Sequence, residues 1–404
     1  MRHRLLSAVA HTALFGLAAI AAASPALAEG APAELVVGGS ISTHLQLEHD
    51  KAQDSKASNT LYDDTDLTGY ANWSDWLTVN ADVKLERQRN DNLDSYYNQP
   101  GAKGNAFMRS EGVTLRQLNA TVRPVEGVSV YGGKYHPLFG SAWESMPGQF
   151  YSFASDYEQD ERVGAGVALN MPEGLGDAKL SLETFFLDNS ALSNSIFSRP
   201  GYDDSGINRA KRYRLSDGGA SNTGNLESYT VAWRGGSLPG GIEGVKYQLS
   251  YTHEAVHLPG EAAENGYSVG VSYDPTGDGI PLTRRLGVTP FAEFTHFNNY
   301  SGTDGLNRDY VLTGLNFIYG HWNMAVTSGL RYSSNDKVAA ADQDLSWQGS
   351  VATNEVSAFD HQENLTVTYE VIEHLQIGAG VNHVRVNDRS SIGWGPSMNY
   401  SLAF

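Results

Sequence analysis

The sequence predicts an all-β fold: one antiparallel up-and-down β-barrel of about sixteen strands, closed on itself, apolar outside and wet inside. Three observations lead there. Segments of roughly ten residues alternate apolar and polar at period two along the chain from Glu34 onward. The links between these segments are short and long by turns. The composition also fits: charged residues are only 18%, Gly 43 and Tyr 21 are high, and the mean hydropathy is −0.36. A strand apolar on one face only keeps a hydrophilic average even when that face meets lipid.

The first 28 residues read as a secretory signal. Arg2 and Arg4 give the positive start, Leu5 to Ala23 the apolar stretch, and Ala26-Leu27-Ala28 an A-x-A cleavage site. The expected mature unit is 29–404. Cleavage after Ala28 removes two basic residues and no acidic ones, so the mature chain is more acidic than the −18 of the whole sequence. That balance argues against a nucleic-acid partner, whose phosphates would be repelled. With no cysteine, disulfides, thiolate catalysis and Cys-ligated zinc are excluded.

The strands follow in order. Glu34–His49 sets Leu35, Val37, Ile41, Leu45 and Leu47 against Ser40, Ser42, His44, Gln46 and Glu48. Leu61–Trp73 turns at Ser74-Asp75 into Trp76–Arg89, where Leu77, Val79, Ala81, Val83 and Leu85 alternate with Thr78, Asn80, Asp82, Lys84 and Glu86. Charge along the whole polar face is what a wet lumen needs. The pattern returns at Gly112–Arg123, Val128–His136, Arg162–Met171, Ala178–Leu187, Leu226–Arg234, Val245–Glu254, Gly266–Tyr273 and Leu286–Phe297. It continues at Tyr310–Tyr319, Trp322–Ser333, Gln362–Val371 and Leu375–Val386, and ends in Ser391–Phe404. Sixteen is even, so both ends of such a barrel fall on one side.

The links sort by parity. Ser74-Asp75, Pro124–Gly127, Pro172–Asp177, Gly235–Gly244, Asp274–Thr283, Gly320-His321 and Ile372–His374 are mostly tight, with Gly, Pro or Asp where turns need them. The intervening links, such as Asn90–Glu111, Pro137–Glu161, Asp188–Asn225 and Ser334–His361, are generally longer, though His257–Asn265 is modest and Asn387–Ser390 short. Transmembrane barrels have short turns on one side and long loops on the other; a soluble sandwich has no reason to.

The final strand carries Trp394, Pro396, Met398, Tyr400, Leu402 and Phe404 on one face and small or polar residues on the other. It resembles the C-terminal signal of Gram-negative outer-membrane barrels. That resemblance implies a cell outer-membrane location and recognition of Tyr400, Leu402 and Phe404 by the barrel-assembly machinery.

A sixteen-stranded barrel is too wide for side chains alone to fill. Function then rests on whatever narrows the channel. The third long link, Pro137–Glu161, carries Phe139, Trp143, Phe150, Tyr151, Phe153 and Tyr157, more aromatics than an exposed loop keeps, and is expected to fold inward. Its acids are Glu144, Asp156, Glu158, Asp160 and Glu161. Candidate basic partners are Lys134 and His136, read as sharing a face opposite Tyr131 and Tyr135, and Arg162. Lys84, Glu86, Arg123, Lys179, Lys246 and Arg331 are further lumen charges by parity. Carboxylates facing cations across water would set a transverse field that favours polar solutes.

Pro137-Leu138-Phe139-Gly140 is similar to the Pro-x-Phe-Gly of the constriction loop in general diffusion porins. The frame from Gly132 to Gly140 and from Asp156 to Gly164 is similar to a segment of porin-like proteins. Leu138 stands where that family usually has an acid and Ser141 where it has glycine. The resemblance implies a passive channel for small hydrophilic solutes and ions, a homotrimer, a surrounding of outer-membrane lipid and lipopolysaccharide, and no cofactor. The alternative is a substrate-selective or export channel for a sugar, polysaccharide or anion, for which Tyr70 and Phe185 have the parity of lumen aromatics.

Other motifs carry little. His253 and His257 would stand about 13 Å apart in a strand, too far for one metal. Asp274–Gly279 has an incomplete calcium-ligand series. H-E-x-x-H occurs at His253–His257 and G-x-S-x-G at Gly266–Gly270, but both fall in or beside strand patterns rather than on the helix or the strand-to-helix turn that their chemistry needs, and no enzymatic role is expected. The basic run Arg209–Arg214 reads as a solvated loop stripe.

Overall fold

Sixteen long strands form one antiparallel sheet that closes on itself, and two short strands pair onto it. The computed structural model describes residues 35–52, 57–87, 106–107, 111–148, 153–172, 177–193, 213–238, 242–274, 280–283, 286–335, 337, 357–386 and 389–404. The signal segment, Phe150, Tyr151 and Arg209 to Arg212 of the basic run lie outside these residues.

The strands are β1 (Leu35–Ala52), β2 (Ser58–Trp73), β3 (Leu77–Arg87), β4 (Ala106–Phe107), β5 (Glu111–Val125) and β6 (Val128–Tyr135). Then come β7 (Arg162–Asn170), β8 (Ala178–Leu187), β9 (Ser228–Leu238), β10 (Ile242–Glu254), β11 (Glu264–Tyr273) and β12 (Ile280–Thr283). The last six are β13 (Leu286–Asn298), β14 (Leu306–Tyr319), β15 (Trp322–Asn335), β16 (Ser357–Ile372), β17 (Leu375–Val386) and β18 (Arg389–Ala403). All sixteen expected segments are present. The additions are local: two-residue β4 runs parallel to β2, and β12 folds against the start of β13 within the link expected as a turn.

Each long strand pairs antiparallel with its sequence neighbour, and β1 pairs with β18 to complete the ring. At the seam Gly39 and Phe404 exchange both backbone hydrogen bonds at 2.9 Å. The parity of the links holds with one exception: β2–β3, β5–β6, β14–β15 and β16–β17 join within two or three residues, and so do β17 and β18, on the side of the long links. Left-handed Gly127 (φ 78°) and Gly320 (φ 58°) make two of these turns.

The burial is inverted relative to a water-soluble protein. On β18, Ile392 and Trp394 are 52% and 54% exposed, while Ser391 and Ser397 are buried. On β8 Leu182 is exposed and Glu183 buried; on β13 Phe294 is exposed and Glu293 buried. Polar residues point into the ring and apolar ones outward. The exposed aromatics gather in two belts. Trp73, Tyr319 and Trp322 lie at the short-turn end, and Tyr229, Tyr267, Tyr332, Phe359 and Trp394 toward the other. An apolar band with an aromatic girdle at each border is the outer surface of a barrel that crosses a bilayer.

Candidate functional site

Residues 136–148 and 153–161, the described parts of the link between β6 and β7, make a set of contacts with inner-face residues of the ring. The segment contains a four-residue helix, α1 (Ala142–Ser145), and a 3-10 turn at Phe153–Tyr157. Two buried wall charges hold it. The first is Glu293 of β13. It accepts from the backbone N–H of Ser141 (2.6 Å) and of Ala142 (3.2 Å), and from the hydroxyls of Ser141 (2.7 Å) and Tyr157 (2.5 Å). The Tyr157 hydroxyl is pushed well above its ordinary pKa by burial and by the Glu293 charge, so it stays a donor.

The second anchor is Arg331 of β15. Its guanidinium bridges Asp156 of the loop (2.9 Å) and Asp360 of β16 (2.7 Å) and lies over the Phe153 ring at 4.9 Å. Between the anchors, Phe139, Phe153 and Tyr157 pack on Phe291, Phe297, Tyr310 and Leu312. Further along, Gln159 donates to Glu254 (2.7 Å) and Thr252 (3.0 Å) of β10. Arg234 of β9 pairs with Glu144 at 3.1 Å and donates to the Gly140 carbonyl at 3.0 Å. The Phe153 N–H donates to Gln362 of β16 at 3.3 Å. These bonds run from the segment to inward-facing residues on β9, β10, β13, β15 and β16.

A second cluster lies at the return of the segment. Arg116 of β5 pairs with Glu158 and, at 2.9 Å, with Asp160. His136 stands 4.0 Å from Glu158. Burial drives the His136 imidazole down to about 4, with Arg116, Arg162 and Lys84 pushing the same way against Asp160, so the ring is neutral near pH 7. Burial and the neighbouring Asp160 charge raise Glu158 to about 7. Asp160 goes the other way: burial would raise it, but Arg116, His136 and Lys84 hold it below the usual carboxylate range. Next along the wall, Lys84 pairs with Asp64 (3.1 Å) and Glu86 (3.5 Å). Asp66 stands in register with Lys84, and Asp82 is two residues before it on the same face.

The sequence-derived candidates divide. Glu144, Asp156, Glu158, Asp160, His136, Arg162 and Arg331 take part in these networks, Arg162 through Glu254 at 3.2 Å. Lys84 and Glu86 share one wall. Arg123 donates to Thr78 near the short-turn end at 2.8 Å, and Lys179 and Lys246 are exposed near that end, apart from the loop. The face assignment on β6 needs correction. Lys134 is in register with Leu118 and Val163, and Leu118 is 42% exposed on the outer side. Tyr131, not Lys134, reaches into the ring, where its hydroxyl donates to Glu183. Lys134 is buried at the rim between Asp188 (3.0 Å) and Glu161 (3.1 Å). It does not face the loop acids across the channel. Phe185 is fully buried and so offers no open stacking surface, whereas Tyr70 is 41% exposed. Tyr400, Leu402 and Phe404 lie on the outward face at the seam.

Arg116 and Glu293 were not among the candidates. Arg116 falls at a register shift between β3 and β5, where simple alternation fails. Glu293 is an ordinary inward residue by pattern, and its partners are about 150 positions earlier in sequence.

The closed ring and its inverted surface define a transmembrane β-barrel of the outer-membrane kind. No family model and no curated protein matches the chain. Among solved structures, OprB of Pseudomonas putida is similar at 12% identity and TM-score 0.58, covering 91% of this chain and 94% of that one. The outer membrane channel DcaP of Acinetobacter baumannii is similar at 12% identity and TM-score 0.52, covering 92% and 97%. OmpT of Vibrio cholerae, an outer membrane protein in a trimer form, is similar at 8% identity and TM-score 0.50, covering 92% and 100%. The likeness is one of fold: this chain has the barrel architecture of Gram-negative outer-membrane porins.

Proposed function

We propose that the chain is a passive outer-membrane channel for small hydrophilic solutes and ions, narrowed by residues 137–161 folded into the lumen, with a preference for cations. The observation that carries this reading is the one-sided anchoring of the segment. Glu293 and Arg331 bind it to β13 and β15. The inner residues of β2 and β3 stay partly open instead: the Asp64 and Glu86 side chains are 37% and 34% exposed. The remaining passage then runs along β2, β3 and β5. Asp64, Asp66, Asp82, Glu86, Glu158 and Asp160 there outnumber Lys84 and Arg116, and a net negative constriction concentrates cations.

The trimer form described for Vibrio cholerae OmpT supports a homotrimer. The exposed alternate residues Tyr400, Leu402 and Phe404 support recognition by the barrel-assembly machinery. The test is planar-bilayer recording under a KCl gradient. Steady, non-saturating steps with a cation-sign reversal potential are expected. Absence of conductance from folded barrel overturns the reading, and block by a sugar or anion at low concentration moves it to a substrate-selective channel.

A further inference from the structure

On the outside of the barrel, toward the long-loop end, the outward face departs from its apolar pattern. Along β16 the outward residues Leu365 and Val367 give way to Glu363 and His361, and on β17 Val381 gives way to His383. Glu363 and His383 are directly opposed in the antiparallel pair, and His361 precedes Glu363 by two residues, hence on the same face. The carboxylate lies between two imidazoles. Its Oε2 is 2.9 Å from His383 Nδ1 and its Oε1 is 4.0 Å from His361 Nε2. The three ligand atoms all lie within 4.8 Å of one another.

We propose that His361, Glu363 and His383 form a binding site for a divalent transition-metal ion of the zinc type, on the outer surface of the barrel and independent of what passes through its lumen. Two imidazoles and one carboxylate are a complete protein ligand set for zinc with one position left open for water or a fourth donor. With metal–ligand bonds of about 2.0–2.2 Å, tetrahedral ligand atoms stand roughly 3.3 Å apart. The observed separations bracket that value, so small side-chain rotations without backbone movement complete the site. The ligands come from two strands locked in register, so most of the arrangement exists before the ion arrives. The position also suits access. The Glu363 and His383 side chains are 51% and 38% exposed, and the next outward pair, Leu365 with Val381, opens the apolar band. The site therefore lies at the border of that band, where dissolved cations reach it. Arg385, in register with His361, brings a positive charge close by and weakens the site without abolishing it.

The test is zinc titration of the folded full chain in detergent by calorimetry, with Cu²⁺ electron paramagnetic resonance as a second measurement. One ion per chain is expected. Affinity should fall by more than about tenfold in His383→Ala and in Glu363→Gln, and rise in Arg385→Ala. A second His–carboxylate group, His136 with Glu158 and Asp160, is the internal competitor, and His136→Ala should leave the affinity unchanged. Copper bound to the unmodified protein should show hyperfine coupling to two nitrogens, a readout that does not depend on any variant folding. No stoichiometric binding, binding unchanged in His383→Ala, or a copper spectrum without two-nitrogen coupling overturns the proposal.

Discussion

Replacing Glu293 with alanine should release the inner segment while leaving the barrel folded. Glu293 is buried and accepts four hydrogen bonds, two of them from the backbone of Ser141 and Ala142. A hydrogen bond to a charged group contributes about 1.5–3 kcal/mol, and a buried donor left without its partner costs about 1–3 kcal/mol. The four bonds share one acceptor, and water can replace part of what is lost, so the contributions do not add. A net loss of about 3 kcal/mol in docking of the segment is the working figure. At 1.4 kcal/mol per decade that is about a hundredfold more undocked population. Hydrogen exchange reads this directly: amides of residues 141–146 and 153–157 should lose about two decades of protection, while those of β13 and β14 should not change. In bilayers the same variant should conduct with larger, noisier steps. Unchanged protection of residues 141–146 in a folded Glu293→Ala barrel would refute the anchoring argument, whatever the conductance.

Other expectations follow from the same contacts. Arg331→Met leaves the Asp156 and Asp360 carboxylates buried without their shared cation; breaking such a buried pair costs about 3–5 kcal/mol, read as a lower unfolding midpoint together with exchange at residues 153–157. Glu158, raised to about 7 from 4.5 by burial and Asp160, favours the folded arrangement while protonated. That contribution is complete below 4.5 and is lost as pH rises through about 7. The channel should accordingly lose cation preference as pH falls through about 7, and Glu158→Gln should flatten this dependence in reversal-potential measurements. At Gly395 an added Cβ would lie 1.7 Å from the Leu47 carbonyl oxygen. Gly395→Ala should therefore prevent closure of β18 on β1, seen as loss of the heat-modifiable folded band on electrophoresis.

The strands were readable in the sequence because two solvents enforce the same rule on every one of them. An outward position must tolerate hydrocarbon and an inward one water, so period two survives over the whole ring, as at Leu77–Glu86 and Ser391–Phe404. The β6 error shows the limit of that rule. Val128, Val130 and Lys134 share one parity, which is outward, but the charge of Lys134 argued for the lumen and left Tyr131 and Tyr135 on the opposite face. A tyrosine is also at home in the lumen when its hydroxyl finds a carboxylate, as Tyr131 does with Glu183. The aromatics and acids of the link between β6 and β7 were legible. Its anchors were not, because Ser141 with Glu293 and Asp156 with Arg331 meet only after the ring closes. A spatial pairing of this kind leaves no spacing to read.

The claim beneath all of this is that the exposed leucines, valines and aromatics meet hydrocarbon while the polar face meets water. The chain has no cysteine, so single cysteines can be placed at each position from Leu77 to Glu86 and spin-labelled in barrels reconstituted into vesicles. Relaxation by oxygen, which concentrates in lipid, should dominate at Leu77, Val79, Ala81, Val83 and Leu85. Relaxation by a water-soluble nickel chelate should dominate at Thr78, Asn80, Asp82, Lys84 and Glu86. A flat profile along β3, or the two accessibilities exchanged, would contradict the account.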